Sequence, residues 1–274
     1  MPLRPAAVAG AWYPDDPARL AAAVTGYLDA VALGGPPPDA TLVGLIAPHA
    51  GLMYSGPVAA HAYAHLRGRR FDAAVLIGPS HFVAFEGVSI WPRGAFRTPL
   101  GDLPVEERVA ASLLASPVIH ERPAAHEREH SLELQLPFLA HLAPGLPIVP
   151  LVMGSQDRDT VTALADALAS ALGDARVLLV ASSDLSHYYD ATTAAALDGQ
   201  VVRAVDAFDA DGLMGLLERR PDHACGGGPM VSVLSAARAL GATEAAVVRY
   251  ADSGDVSGDK ASVVGYLAAT ISHA

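Results

Sequence analysis

Apolar residues recur along the chain in short runs that alternate with longer stretches of helical periodicity. Four of these runs are rich in Leu or β-branched residues and are followed by turn residues, which is typical of buried strands. These strands are predicted at Thr41–Ala47, Ala73–Gly78, Pro147–Met153 and Arg176–Ala181. Two later strands are predicted at Ala245–Tyr250 and Val263–Ala269.

Helices are predicted before, between and after these strands. Asp16 followed by Pro17 is typical of an N-cap with proline at the first helical position, and predicts a helix to about Val31. The run Gly34–Pro38 then predicts a short linker. The other predicted helices are Gly56–Leu66, Val105–Ala115, Ser131–Leu142, Thr160–Leu172, Thr192–Phe208, Asp211–Arg219 and Pro229–Leu240.

Strands that alternate with helices indicate an α/β fold, with a central, largely parallel or mixed sheet and helices on both faces. Val88–Trp91 followed by Phe96–Leu103 is interpreted as a hairpin inserted into this alternation. No internal repeat is visible in the sequence. We therefore predict one domain over residues 1–274.

The composition excludes several classes of protein. A hydrophobic fraction of 51% against 17% charged residues excludes intrinsic disorder. The net charge of −11 argues against nucleic acid or an anionic membrane surface as the main partner. No apolar run approaches the roughly 20 residues that cross a bilayer, and no secretory signal is recognisable. A single cysteine cannot form an intramolecular disulfide, so we expect a reducing, cytoplasmic location.

Three predicted strands run directly into loops that contain a histidine: His49, His81 and His187. A single loop histidine most often bonds to nearby backbone. Three of them at one edge favour a shared site, because ligands of open α/β sheets bind outside the carboxyl ends of the strands. Neutral imidazole is also the commonest side-chain metal ligand.

The one cysteine, Cys225, lies in a glycine-rich loop that is predicted to open a helix. The helix dipole at that position favours a thiolate, which suits either nucleophilic attack or metal binding. A buried, inert cysteine is the alternative, since free Cys is often buried. The three glycines at 226–228 point instead to unusual backbone angles or to a close approach. They do not form a phosphate-binding loop, because its Lys and Ser/Thr are absent.

Two chemistries remain open from the spacing alone. A His, His, Cys set suits Fe(II), Cu or Zn, with His187 as a ligand or as an acid/base whose ring Asp184 orients. Alternatively, Cys225 is a nucleophile, His187 its base and Asp184 the third member of a triad.

Other polar residues are weaker candidates. In the segment that begins at Glu129, His130 and Glu133 could share one helical face, but helix capping explains the pattern equally well. His61 and His65 are four residues apart on one predicted helix, and we interpret them as surface or packing residues.

A series of motifs, taken in order, resembles the Memo family, and in particular its prokaryotic branch, the AmmeMemoRadiSam system protein B. The resemblance runs from about residue 6 to residue 270. The motifs are Gly10-Ala11-Trp12-Tyr13-Pro14, Pro48-His49-Ala50-Gly51 with Tyr54-Ser55-Gly56, Gly78-Pro79-Ser80-His81, Glu129-His130-Ser131-Leu132-Glu133, Ser183-Asp184-Leu185-Ser186-His187-Tyr188, Cys225-Gly226, and Ser253-Gly254-Asp255 with Val263-Val264-Gly265-Tyr266.

The resemblance implies a fold related to class III extradiol dioxygenases, which cleave catechol-type rings with nonheme Fe(II). It also implies a metal pocket formed by His49, His81 and Cys225, with the catalytic candidates His187 and Asp184 beside it. The ring-cleaving relatives have a carboxylate where this chain has Cys225. Because a thiolate is a softer ligand that changes the redox behaviour of a metal, this departure argues against ordinary ring cleavage.

Our leading hypothesis is a metal-dependent redox protein that uses Fe(II) or Cu, with Zn as a further candidate, on an unknown substrate. The second is a non-catalytic protein that binds a peptide or partner in the inherited pocket, and the third is a Cys225 hydrolase. The name of the bacterial branch implies AMMECR1-like and radical-SAM proteins as pathway partners. Eukaryotic Memo proteins are linked to cell-motility signalling, but this sequence gives no basis for assigning that role to the chain.

Overall fold

The structure is a computed structural model that describes residues 2–32, 41–173 and 175–273. The predicted linker Gly34–Pro38 lies outside these residues. The strands β1 to β12 of the described part are Leu3–Arg4, Thr41–Ala47, Ala73–Pro79, Val88–Ile90, Ala95–Thr98, Gly101–Pro104, Ile119–Glu121, Ile148–Met153, Val177–Ser182, Asp184–Tyr189, Glu244–Asp252 and Val263–His273.

The helices α1 to α10 follow the same chain order. They are Pro17–Asp29, Leu52–Tyr63, Glu107–Leu113, Ala124–Glu127, Leu136–Leu142, Arg158–Leu172, Ala191–Asp206, Ala210–Arg219, Gly227–Ala239 and Gly254–Ser257. Short 3-10 turns occur at Ala64–Leu66, Glu133–Gln135 and Pro221–His223. Across the described ranges, no helix combines the length and apolar character that crossing a membrane would need.

The main sheet has four parallel strands at its centre, in the order β2, β9, β3, β8. β4 extends it antiparallel to β8, and β7 follows parallel to β4. On the other side, β12 lies antiparallel to β2 and also pairs with β10 and β11. The predicted α/β class with a mixed, mainly parallel central sheet is confirmed.

The register of the central strands decides where the loop residues meet. Ala181 of β9 lies beside Ile46 of β2 on one side and beside Ile77 of β3 on the other. The three strands therefore end at one level. His49 and His81 follow their strands within a few residues, so both lie at the carboxyl edge of the sheet.

Both faces of the sheet are buried, which explains why its central strands are apolar without interruption. Along β3, Val75 and Ile77 face one apolar layer, whereas Ala74 and Leu76 face the other. The first layer includes residues of α6 and α9, and the second includes residues of α1, α2 and α5. Each buried side chain of Val or Leu size contributes roughly 1.5–3 kcal/mol.

The predicted hairpin between Val88–Trp91 and Phe96–Leu103 is wrong. β4 instead joins the main sheet between β8 and β7, because all three of its residues are buried, as an interior strand requires. The second segment forms its own hairpin, β5 with β6, in a small sheet completed by β1. Gly101, with a φ of 125°, allows the tight turn between these two strands.

Two further predictions differ from the structure. The stretch after β9 is predicted as a loop, but β10 is a strand that pairs with β12 through two register shifts. Helix α2 begins at Leu52 rather than at Gly56, since the Leu52 N–H donates to the carbonyl of Trp12, 2.8 Å away. Both differences arise from tertiary pairing that local periodicity does not report.

Candidate metal centre

Three potential ligand atoms converge at the carboxyl edge of the sheet. One ring nitrogen each of His49 and His81, and Sγ of Cys225, all lie within 4.8 Å of one another. Cys225 Sγ is 3.2 Å from Nε2 of His49. The two imidazole rings meet edge to face, with centroids 5.3 Å apart. The structure thus brings together the three residues that were predicted from the sequence as metal ligands.

His81 is held by a buried carboxylate. Its Nδ1 donates to Glu129 Oε1 at 2.8 Å, and its backbone N–H donates to Oε2 of the same side chain at 2.6 Å. Because Nδ1 carries the hydrogen, Nε2 keeps the lone pair that a metal needs. A carboxylate behind a ligand histidine also fixes the orientation of the ring.

Glu129 itself is an anion in the folded protein. Burial raises the pKa of this carboxyl, but hydrogen bonds from His81 and from the backbone of Ser131 outweigh burial and lower the pKa to about 2. The N–H of His130 also donates to it, at 3.0 Å. Sequence reasoning missed this role, because Glu129 lies 48 positions from the histidine it supports and no local pattern links them.

Cys225 is fixed by the backbone at the start of β10. The Asp184 N–H donates to Sγ at 3.3 Å, and the Cys225 N–H donates to the Asp184 carbonyl at 3.2 Å. A side chain at Gly226 would collide with the carbonyl of Ser182. The glycine run therefore reflects close approach: it lets the first turn of α9 pack directly against β9, without positive φ angles.

The triad of Cys225, His187 and Asp184 is not assembled in the structure. Cys225 Sγ contacts His49, while Nδ1 of His187 donates to the Leu185 carbonyl at 2.7 Å. Burial and the neighbouring Asp184 raise the pKa of the Cys225 thiol far above its usual range. The imidazole beside the thiol is His49 rather than His187, and burial lowers the pKa of His49 to about 3, which makes it a weak general base. A protonated thiol beside a weak base is a poor nucleophile, so the geometry argues against the hydrolase.

The expectation that Asp184 orients the ring of His187 is wrong, since the Leu185 carbonyl does so. Asp184 Oδ1 instead accepts from the backbone N–H of His49 at 2.7 Å. Burial raises the pKa of this carboxyl, and the hydrogen bond from His49 opposes that rise. Asp184 therefore supports both His49, a candidate ligand, through its carboxylate, and Cys225, through its backbone.

A cavity of about 310 Å³ opens beside the two candidate ligand histidines. Besides His49 and His81, its walls include Trp12, His130, Asp184, His187 and Tyr188. His187 therefore faces the same cavity as the candidate ligands His49 and His81, as an acid/base would have to.

His130 forms part of this wall, a position that its sequence pattern did not reveal. Its ring stacks on His81 with centroids 4.3 Å apart and contacts Trp12 at the same separation. Burial and the nearby His49 and His81 lower the pKa of His130 to about 4, so it is neutral at pH 7.

Glu133 does not line the cavity, although it lies close to His130 in the sequence. Its carboxylate pairs with the fully buried Arg4 and accepts from the Tyr13 hydroxyl at 2.6 Å. It also accepts from the N–H groups of Ala7 and Val8. Glu133 thus anchors the N-terminal segment that carries Trp12 to the cavity.

Comparison with known proteins shows which family the chain belongs to. Residues 4–270 match the family model described as Memo-like protein. The chain belongs to the Memo family. A MEMO1 family protein of Methanothermobacter thermautotrophicus is 38% identical over 272 residues, covering 96% of this chain and 98% of the relative. One from Methanosarcina mazei is 37% identical, with 98% of both chains covered. The predicted Memo resemblance is therefore confirmed.

A solved structure shows the same fold without showing function. The crystal structure of an uncharacterised protein from Escherichia coli K12 matches with a TM-score of 0.55 and 15% sequence identity. The match covers 85% of this chain and all of that one. The α/β architecture is the dioxygenase-like fold of the Memo family, and the candidate site lies at the carboxyl edge of its sheet.

Proposed function

We propose that this Memo-family protein is a metal-dependent redox protein whose metal, Fe(II) or Cu, is held by His49, His81 and Cys225. The convergence of their three donor atoms within 4.8 Å, with the two histidines lining a cavity, carries the proposal. Three protein ligands next to open space are the usual arrangement of a catalytic metal, since one position stays available to a ligand.

The donor set fits this class of metal. Two imidazoles and a thiol that loses its proton on binding favour Fe(II), Cu or Zn, whereas Mg and Ca require oxygen ligands. Burial and the neighbouring His81 lower the pKa of His49 to about 3, so its ring is neutral and able to bind at physiological pH. Bound there, Fe(II) or Cu would supply one-electron redox chemistry next to the cavity.

His187 is the proposed acid/base of the cavity. Its Nδ1–H is committed to the Leu185 carbonyl, so Nε2 is the nitrogen that can accept a proton from a bound molecule. The ring lies on β10, whose pairing with β12 places His187 beside Val264. A strand holds such a side chain more firmly than the loop predicted from the sequence.

The cavity walls set the kind of molecule that fits. A volume of about 310 Å³ lies at the lower end of ligand sites, so the proposed substrate is small. Trp12, His130 and Tyr188 line it with aromatic rings, which suits a flat or apolar group.

Anaerobic purification followed by elemental analysis tests the metal assignment. We expect wild-type protein to carry metal and His49→Ala and Cys225→Ala to lose most of it. His120→Ala, which replaces an exposed histidine, is the matched control and should keep its metal. Full metal content in both ligand variants would overturn the site.

A second candidate function is binding of a partner without catalysis. It is favoured by three exposed aromatic side chains at or beside the cavity: Trp12 at 38%, Phe82 at 49% and Tyr188 at 77% of their full exposure. Proteins rarely expose several large apolar groups together unless something covers them. The proposed partners are the AMMECR1-like and radical-SAM proteins.

Pull-down with these two partners separates the candidates. If the second function holds, Trp12→Ala and Phe82→Ala abolish capture, while Val256→Ala, at another exposed apolar position, does not. No stable complex with wild-type protein would overturn partner binding.

A further inference from the structure

A chain of buried polar side chains stands behind His49. Nδ1 of His49 is 2.9 Å from Ser182 Oγ, and Ser182 in turn contacts Gln135. Gln135 also contacts the hydroxyl of Tyr63. All four side chains are at least 99% buried, so each of their polar atoms must find its partner within the protein.

The orientation of Gln135 follows from one backbone carbonyl. The carbonyl of Pro48 can only accept, and it lies 3.1 Å from the Gln135 side chain. The group facing it must therefore be the amide NH₂, which also reaches Ser182 Oγ at 2.7 Å. The amide oxygen is then left to accept from the Tyr63 hydroxyl at 2.8 Å.

The single hydroxyl hydrogen of Ser182 is also assigned. The carbonyl of Ser131 lies 2.6 Å from Ser182 Oγ and can only accept, so the hydroxyl donates there. Gln135 donates to Ser182 from another side. Only a lone pair of Oγ remains for His49, and the hydrogen of that bond must sit on Nδ1.

We propose that Ser182, oriented by Gln135 and Ser131, is a positioning residue that fixes His49 as the Nδ1–H tautomer. Nε2 then carries the lone pair and faces Cys225 Sγ. The consequence for metal binding rests on the proposed function, whereas the tautomer is a property of the protein without metal. The two ligand histidines are thereby unequal, because neutral Ser182 supports one and anionic Glu129 the other.

The chain contains an internal control for this inference. Ser89 forms the same kind of buried hydrogen bond with His126, but through Nε2, at 3.0 Å. Its hydroxyl donates to the Arg122 carbonyl, so His126 must donate from Nε2. The same reasoning therefore assigns opposite tautomers to two buried histidines.

Nitrogen NMR of the metal-free protein, labelled with ¹⁵N-histidine, tests the assignment at pH 7.5. Long-range ¹H–¹⁵N correlations distinguish the protonated from the unprotonated ring nitrogen. We expect Nδ1–H for His49 and Nε2–H for His126. An Nε2–H signal for His49 in the wild-type protein overturns the proposal without any variant.

Variants then show which side chain is responsible. The thiol of Cys225 can donate to Nε2 of His49 and so also favours the Nδ1–H form. The serine variants are therefore compared in a protein that already carries Cys225→Ala. We expect His49 to keep Nδ1–H in Cys225→Ala and to populate Nε2–H when Ser182→Ala is added. Ser89→Ala in the Cys225→Ala protein should change His126 alone. An unchanged His49 tautomer in a folded Ser182→Ala, Cys225→Ala protein assigns the effect elsewhere and overturns the proposal.

Zinc affinity separates this inference from the proposed function. Zn²⁺ is used because it does not change oxidation state during the titration. In the otherwise wild-type chain, Ser182→Ala should weaken Zn²⁺ binding about 10–100-fold, and Ser89→Ala should not. Equal affinity in the Ser182→Ala and wild-type proteins overturns the positioning role in metal binding. A wild-type protein with the expected tautomer but no zinc binding would count against the metal centre alone.

Discussion

The support behind His81 differs in kind from that behind His49, and its removal has a defined consequence. Glu129→Gln keeps the size of the side chain but removes the negative charge that accepts from Nδ1 of His81. Loss of such a partner typically lowers metal affinity about 10–100-fold. Isothermal titration with Zn²⁺ measures this directly. Glu86→Gln, at a glutamate outside the cavity lining, should bind as the wild type does.

The lowered pKa of the Glu129 carboxyl predicts that part of the protein's folding stability is lost in acid. The pKa of this carboxyl falls from the usual 4.5 to about 2 on folding, so the folded state favours the anion. The resulting stability is fully present above pH 4.5 and is lost as the pH falls toward 2. Chemical denaturation between pH 6 and pH 2.5 should therefore show a smaller loss of stability in Glu129→Gln than in wild type. Equal pH slopes would contradict this assignment.

Single residues were predicted unequally well from the sequence. His49, His81 and Cys225 could be nominated because two of them follow buried strands and the third is the only thiol. The supporting groups Glu129 and Ser182 could not, since they act through contacts between residues 48 and 133 positions apart. Such contacts exist only in the folded chain.

The position of helix α9 determines where Cys225 lies in the candidate site, because Cys225 directly precedes the first turn of this helix. Gly226→Ala would place a Cβ against the Ser182 carbonyl, so the turn that carries Cys225 must shift. Overpacking of this kind costs about 1–3 kcal/mol of stability. We expect reduced metal content together with a lower denaturation midpoint.

Gly26→Ala is the control for that change. Gly26 lies in α1. Apart from its chain neighbours and the backbone of its own helix, no group of the described residues lies within 4 Å of the place that the alanine methyl would occupy. Alanine should therefore stabilise the helix by about 0.5–1 kcal/mol. Metal content should remain at the wild-type level. If Gly226→Ala behaved like Gly26→Ala, the close approach of α9 to β9 would not be needed for the site.

Among the elements, β2 was predicted to the residue, and β3, β8 and β9 to within one residue at each end. These strands are buried on both faces and so form continuous apolar runs that are visible in sequence. β10 was missed because its polar Asp, Ser, His and Tyr residues resemble a loop. Its strand conformation depends on pairing with β12, about 80 positions away.

The N-terminal segment connects the small sheet, the main sheet and the cavity. Arg4 and Glu133 form a fully buried ion pair, and Glu133→Gln would leave the guanidinium without its counter-charge. Breaking one partner of a buried pair costs about 3–5 kcal/mol, which denaturant unfolding can measure. Asp29→Asn, in the exposed pair with Arg67, should cost at most about 1 kcal/mol. Equal costs for the two variants would show that this anchor contributes little.

For the molecule as a whole, the fold class and the family followed from the sequence, because the order of strands, helices and motifs is local information. The prediction of an inserted hairpin was wrong, because β4 pairs with β8 in the buried main sheet instead of with the next segment of the chain. The composition of the cavity wall was also unpredictable. Trp12, His130 and Tyr188 come from three distant segments that only the fold brings together.

X-ray absorption at the metal edge of the Fe(II)- or Cu-loaded protein tests the metal centre most directly. We expect one sulfur scatterer from Cys225 and imidazole scattering from His49 and His81. Cys225→Ser should remove the sulfur shell while the imidazole signal remains. A wild-type spectrum that contains only nitrogen and oxygen neighbours would contradict the proposed centre.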